Sequence, residues 1–305
     1  MENKDYLMTD VSSSALEEML GKVDDLPMLP QVLVRIMQLD SDAGDYFETF
    51  ESLVKDDPPF AVKVITVANS AAFAPVNPIV TIHNALARLG SVTVRNLVAS
   101  LAVQRVFMPT KENEIRLWEH SVKVALTAQT IAKLLPDLKI DEGLVYLAGL
   151  LHDIGRFVMF EHAPENLLAV DESHWSSPNQ LLESDLEVFK YTHSELGFKA
   201  CEKWGLPDDL AMVVRYHHKS INKHFAPGSM GALIFCVQIA DLVSVFLLEN
   251  KDFESLNGEE RKYIIETRCL VSDIQKSLLS SDELNEVLDN LYTEGEQIIR
   301  GMGFA

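Results

Sequence analysis

Cysteine is scarce in this chain, with three residues among 305, at Cys201, Cys236 and Cys269. No CxxC pair occurs, so the spacing supports neither a disulfide framework nor a zinc ribbon, and buried free thiols are the expectation. Positive charge is also in short supply. Twenty-six Lys and Arg residues face 46 Asp and Glu, for a formal net charge of −20. A surface that negative repels nucleic-acid backbones and anionic lipid, which argues against bulk nucleic-acid binding and membrane-surface attachment. Any anionic ligand then needs a locally positive site. The opening MENKDYLMTDVSSS has neither a basic stretch nor an apolar one, so no signal peptide is expected and the reading is cytoplasmic. Long apolar runs are few. The strongest, residues 231–248, carries Gln238 and Asp241 at its middle, and reads as a buried core helix whose carboxylate needs a partner.

Strand–turn–strand patterning is missing too, whereas helical periodicity recurs along the chain. Leu284, Val287, Leu288 and Leu291 follow the i, i+3, i+4, i+7 rule behind a Ser280/Glu283 capping box. Pro30, Pro58, Pro59 and Pro207 stand where helices open. The expected fold class is all-α, in three parts: a helical N-terminal block (1–110), a second helical block (111–250) and a C-terminal helical extension (251–305). The polar run PTKENE at 109–114 is the linker candidate, and 163–180 and 219–231 read as loops. Trp118 and Trp204 read as core anchors, and Asn69 and Ser70 as helix-ending polar groups.

The second block holds the chemistry. In order it offers His120 in LWEHS, His152 and Asp153 in GLLHDIGR, His193 in YTHSELG, His217 and His218 in VRYHHK, and Asp241 in QIADLV. Each lies in or beside an apolar helical context, where a lone histidine or aspartate is normally a hydrogen-bonded core residue. Five histidines and two aspartates together exceed what packing explains, and mixed imidazole and carboxylate donors suit divalent transition metals. Neighbours on a helix project about 100° apart, so His152 and Asp153 can serve two ions, with the Asp153 carboxylate bridging. His217 and His218 reach one ion together if their helix ends there. Two ions about 3.5–4 Å apart clamp a phosphate and acidify a water, the chemistry of phosphoester hydrolysis. No acidic residue lies between Asp209 and Asp241, while Arg215, Lys219 and Lys223 do, which reads as a local positive patch.

GLLHDIGR resembles the signature of the HD superfamily of metal-dependent phosphohydrolases, and the order His, His-Asp, His, His-His, Asp is similar to its HD-GYP branch, which hydrolyses cyclic di-GMP. Over roughly residues 22–245 the chain more closely resembles the HDOD (HD-related output domain) family, on LPMLP (26–30), DDPPFAVKVITVANSAAF (56–73), IHNALARLG (82–90), GLLHDIGR, THSELG and EKWGLPDD leading to YHH. The resemblance implies an HD-type bundle for the second block and a bacterial signalling or regulatory role. It implies that His120, His152, Asp153 and Asp241 hold one metal, and Asp153, His193, His217 and His218 the other. HDOD proteins often have eroded metal sites, and this chain keeps the full set. It departs from HD-GYP in lacking the GYP loop, in placing Arg156 where a phosphate-contacting lysine usually stands, and in having Arg116 one turn before His120, where a third-metal glutamate would fall.

Two readings follow. In one, two divalent ions (iron, manganese, zinc or nickel) serve hydrolysis of a nucleotide or cyclic dinucleotide phosphoester, with Arg156 and Lys219 as phosphate contacts and a signalling protein as partner. In the other, the metals are structural and the protein is a non-catalytic interaction or ligand-sensing module. His83 reads as a helix-start residue, His162 and His174 as solvated, and His224 as a loop residue near the site.

Overall fold

The structure is a computed structural model that describes residues 14–23, 33, 35, 39, 45–55, 58–70, 77–173, 175, 177–219, 225–250 and 252–304. Pro30, His174, Lys223 and His224 lie outside them. The described residues contain helices and turns and no strand.

The N-terminal part comprises α1 (Ser14–Val23), α2 (Tyr46–Lys55), α3 (Pro58–Ala68), α4 (Ile82–Leu89) and α5 (Ser91–Gln104). Thr81 caps α4 by accepting from the Asn84 amide. Asn69 does more than end a helix. Its side chain donates to the carbonyl of Ile79 at 2.6 Å and accepts from the Ile79 amide at 2.7 Å, clamping chain ten residues away.

The central bundle is α6 (Glu112–Leu134), α7 (Glu142–Leu151), α8 (Ile154–His162), α9 (Pro164–Asp171), α10 (Pro178–Phe189), α11 (His193–Lys203), α12 (Asp208–Tyr216) and α13 (Met230–Val243). A π-helical turn, Ser244–Leu248, continues α13. Two apolar stretches, Glu142–His162 and Met230–Leu248, are long enough to cross a bilayer, yet 94% and 83% of their apolar windows are buried inside the protein. They form its core, with α6 packed against both α7 and α13. Trp118 is buried and donates its indole N–H to the Phe107 carbonyl at 3.0 Å, and Trp204 is buried against Phe107. Cys201, Cys236 and Cys269 are buried free thiols.

Small residues let these helices approach closely. A Cβ on Gly149 would lie 2.7 Å from the Ala125 Cα, which brings α7 against α6. On Gly155 a Cβ would overlap the His193 carbonyl oxygen, and Gly197 stands across the same contact between α8 and α11. The glycines of GLLHDIGR and THSELG are thus spacing devices.

Two sequence expectations change here. Residues 163–180 are largely helix, because Pro164 opens α9 and Leu167 and Val170, three apart, bury one face against the core. In the run at 109–114, residues 109–111 precede α6 and 112–114 open it, with the Glu114 carboxylate turned back to accept from the amides of Thr110 and Lys111.

After Leu248 come α14 (Gly258–Ile264), α15 (Asp273–Leu278) and α16 (Ser281–Met302). The capping box opens α16, Ser280 accepting from the Glu283 amide and Glu283 from the Ser280 amide. This helix lies along α6 and reaches α3 and α5, where Gln104 donates to the Met302 carbonyl at 3.1 Å. Asn96 to Gln129 and Ser100 to Tyr146, both at 2.9 Å, join α5 to the bundle through buried hydrogen bonds.

Candidate metal centre

Five elements deliver the seven side chains named from the sequence. His120 comes from the middle of α6, His193 from the first residue of α11 and Asp241 from α13. His152 and Asp153 occupy the break between α7 and α8 rather than one continuous helix. His217 and His218 follow the last residue of α12, so the helix does end where both must turn inward.

These side chains converge into two groups, each with its ligand atoms within 4.8 Å of one another: Asp153, His193, His217 and His218 in one, and His120, His152 and Asp241 in the other. Asp153 stands between them. Its Oδ1 lies 3.3 Å from His193 Nε2 and 3.5 Å from His217 Nε2. Its Oδ2 lies 3.8 Å from His120 Nε2 and 3.7 Å from His152 Nε2. Asp241 Oδ1 is 3.3 Å from His120 Nε2.

Hydrogen bonds on the far side of four of the five rings fix which nitrogen faces inward. His152 Nδ1 donates to the Gly149 carbonyl at 2.7 Å and His217 Nδ1 to the Val214 carbonyl at 2.8 Å. A carbonyl only accepts, so both rings carry their proton on Nδ1 and present a lone pair on Nε2. His193 Nδ1 meets Asp185 Oδ2 at 2.5 Å, and His120 Nδ1 meets Glu249 Oε1 at 2.5 Å and Ser244 Oγ at 3.1 Å. The inward nitrogens crowd: His120 Nε2 is 3.2 Å from His152 Nε2, and His218 Nε2 is 3.1 Å from His193 Nε2. Facing lone pairs at that distance repel unless a cation or a proton lies between them. Asp153 Oδ1, His217 Nε2 and His218 Nδ1 are buried without a hydrogen-bond partner. Such orphans are costly in a core, and a divalent transition metal would satisfy Asp153 Oδ1 and His217 Nε2 directly.

The electrostatics agree. Burial pushes His152 down to about 4 and holds His218 well below the ordinary histidine range, keeping both neutral as ligands must be. Burial alone would raise Asp153 and Asp241, but the surrounding imidazoles outweigh it and hold both carboxyls well below their usual range. Burial opposes charge on His120 and His193 as well, yet Glu249 and Asp241 raise the first, and Asp185 and Asp153 the second. The centre attracts positive charge.

A cavity of about 590 Å³ opens onto it, with His120, Asp153, His218 and Asp241 in its wall. Arg116 and Arg156 supply its cationic lining, against the carboxylates of Asp153, Asp171, Glu172, Asp241 and Glu249. Among the described residues that is a net of minus three, which bound divalent cations would offset. Phe160, Trp175 and Phe246 add aromatic surface. Of the two residues expected to contact phosphate, Arg156 lies in the cavity wall. Lys219 does not, and this is a correction: its carbonyl is held by Gln238 Nε2, and its ammonium lies 5.3 Å from the Tyr216 ring centroid. Arg215 likewise stacks on Phe198, at 4.5 Å, rather than facing the cavity. Asp185, Ser244 and Glu249 escaped sequence reading, since each looks like an ordinary polar residue on an amphipathic helix or at its end.

The HDOD domain model matches residues 26–220. A curated, uncharacterized protein of Treponema pallidum (strain Nichols) is 26% identical over 240 residues, 77% of this chain, and this chain spans 45% of its length. Among solved structures, an HDOD domain protein of unknown function from Geobacter sulfurreducens superposes with a TM-score of 0.67 at 23% identity, covering 93% of this chain and 97% of that one. A protein of Shewanella amazonensis SB2B named as a candidate phosphohydrolase gives 0.67 at 20% identity, covering 95% and 99%. One of Marinobacter aquaeolei VT8, named as a candidate signal transduction protein, gives 0.69 at 22%, covering 95% and 65%. These likenesses establish a shared fold. With the family model matching well over half its length, the chain belongs to the HDOD domain family.

Proposed function

We propose that this protein is a signalling module whose His120, His152, Asp153, His193, His217, His218 and Asp241 hold two divalent transition-metal ions, and that the centre hydrolyses a phosphoester of a nucleotide or cyclic dinucleotide. The observation that carries this reading is the inward crowding of imidazole lone pairs around both oxygens of Asp153. Bound divalent ions would supply the Lewis acidity and the acidified water that phosphoester hydrolysis needs. The chain's own residues do the rest. Asp185, Glu249 and the carbonyls of Gly149 and Val214 keep the Nε2 atoms of His193, His120, His152 and His217 turned inward. Arg116 and Arg156 offer the cavity two guanidinium groups for phosphate oxygens. Trp175 and Phe246 offer surface against which a base can stack.

The cavity favours this reading over purely structural metals, because a centre that only staples helices needs no opening of that size. Metal analysis of protein purified without added metal is the test, beside the H152A/D153A double variant, followed by phosphodiesterase assay of the same samples. Metal lost in the variant and metal-dependent turnover are expected. Metal without turnover would replace hydrolysis by sensing. No metal after reconstitution with iron, manganese, zinc and nickel would refute the centre.

A further inference from the structure

Arg156 sits in the first turn of α8, its side chain 9% exposed, in the wall of the cavity. Its guanidinium is only partly satisfied. Nη2 donates to Asp171 Oδ1 at 2.5 Å, and Nε lies 3.7 Å from Asp153 Oδ2. Nη1 is buried, closed off from water, and has no partner. An unpaired buried donor on a cation is costly, and it marks a place for an acceptor that arrives from outside.

Asp171 does not need this bond as Arg156 does. It ends α9, its side chain is 39% exposed, and it lines the same cavity. Water can hydrate it if the pair opens. Nor does α9 depend on the pair for its place, because Leu167 and Val170 are buried in the core. A buried cation that requires an anion therefore rests on an anion that can leave. Since Nη1 is sealed while Nη2 holds Asp171, an incoming oxyanion gains both nitrogens only when the guanidinium turns away from that carboxylate. A phosphate is the better partner, with more charge and two oxygens for the planar fork.

We propose that Asp171 is a resident counter-ion standing in for the ligand's phosphate: a phosphoester anion entering the cavity takes over Arg156, and the Asp171 carboxylate turns out to water. This rests on the reading of the cavity as a phosphate-binding metal site, and it makes Asp171 a determinant of specificity. Ligands without an anionic oxygen do not displace it. Trp175, four residues on and in the same wall, reports the exchange.

The test is calorimetric titration of the full, manganese-loaded chain with inorganic phosphate, comparing wild type with D171N and D171A, and following tryptophan emission with W175F as the control that assigns it. Phosphate should bind both Asp171 variants at least about ten-fold tighter than wild type, a difference of about 1.4 kcal/mol. The wild-type emission change on binding should vanish in W175F, and R156Q should lose phosphate binding. Binding by the variants but not by wild type would support the proposal in its strongest form. Equal or weaker binding by both variants would overturn it and leave the metal-site reading standing. No binding by wild type or either variant would overturn both.

Discussion

The two halves of the candidate centre use the same kinds of side chain, imidazole and carboxylate, but are held differently. In the half made by Asp153, His193, His217 and His218, the outer supports are the fully buried Asp185 and the Val214 carbonyl. Asp185 accepts from both the backbone N–H and the Nδ1 of His193, so ring and helix start are fixed by one carboxylate. In the half made by His120, His152 and Asp241, the Gly149 carbonyl is as firm, but His120 leans on Glu249, whose side chain is 39% exposed. Glu249 follows a π-helical turn, and lines the cavity. One half is locked from inside the core. The other is supported from its solvent side, so water competes for the bond that orients its first ligand.

The largest effect should come from the residue both halves share. Asp153→Asn removes the charge that each group faces, and metal analysis should find neither ion retained after dialysis. Retention of one equivalent would mean the halves assemble independently. Next, Asp185→Asn should weaken the buried half by about 10- to 100-fold in metal affinity, as loss of such outer partners does. A competition titration that resolves two binding steps checks this, with the tighter step the one displaced. Glu249→Gln should move only the weaker step, and by no more than about three-fold, because its carboxylate is screened by water. An effect as large as that of Asp185→Asn would remove the distinction between the halves.

The smallest effect supplies a baseline, a half-buried carboxyl outside the centre. Burial raises the Glu294 carboxyl above its ordinary range, with Lys133 offsetting part of the cost. Its folded pKa exceeds its unfolded one, so ionisation destabilises the fold above the folded pKa and costs nothing below the unfolded value. Glu294→Gln should therefore raise the melting temperature by about 1–2 °C at pH 7.5 and leave it unchanged at pH 4. Thermal denaturation followed by circular dichroism at the two pH values checks it.

The seven inward side chains were legible because each breaks an apolar helical pattern, an anomaly that a single sequence displays. Their supports were not. Asp185 sits in LLESDLEVF, where an acidic residue on a polar helix face raises no suspicion, and only the fold turns it toward His193. Helix α9 was hidden because Leu167 and Val170 are only two buried residues in a polar stretch, too few for periodicity to register. Lys219 was misplaced for a different reason. Nearness in sequence to His218 says nothing about direction once a helix has ended: Gln238 holds the Lys219 carbonyl, and the Lys219 ammonium lies over the Tyr216 ring rather than in the cavity wall.

The contact between α8 and α11 closes over the hydrogen of Gly155. One added methyl group there would wedge the two helices apart, separating Asp153 from His193 while leaving both side chains intact. A chain that kept all seven donors but carried alanine at 155 would satisfy a count of ligands and lose the packing that brings Asp153 to His193. The geometry of this cluster is therefore written partly in an atom that is missing, which a census of ligands alone does not register.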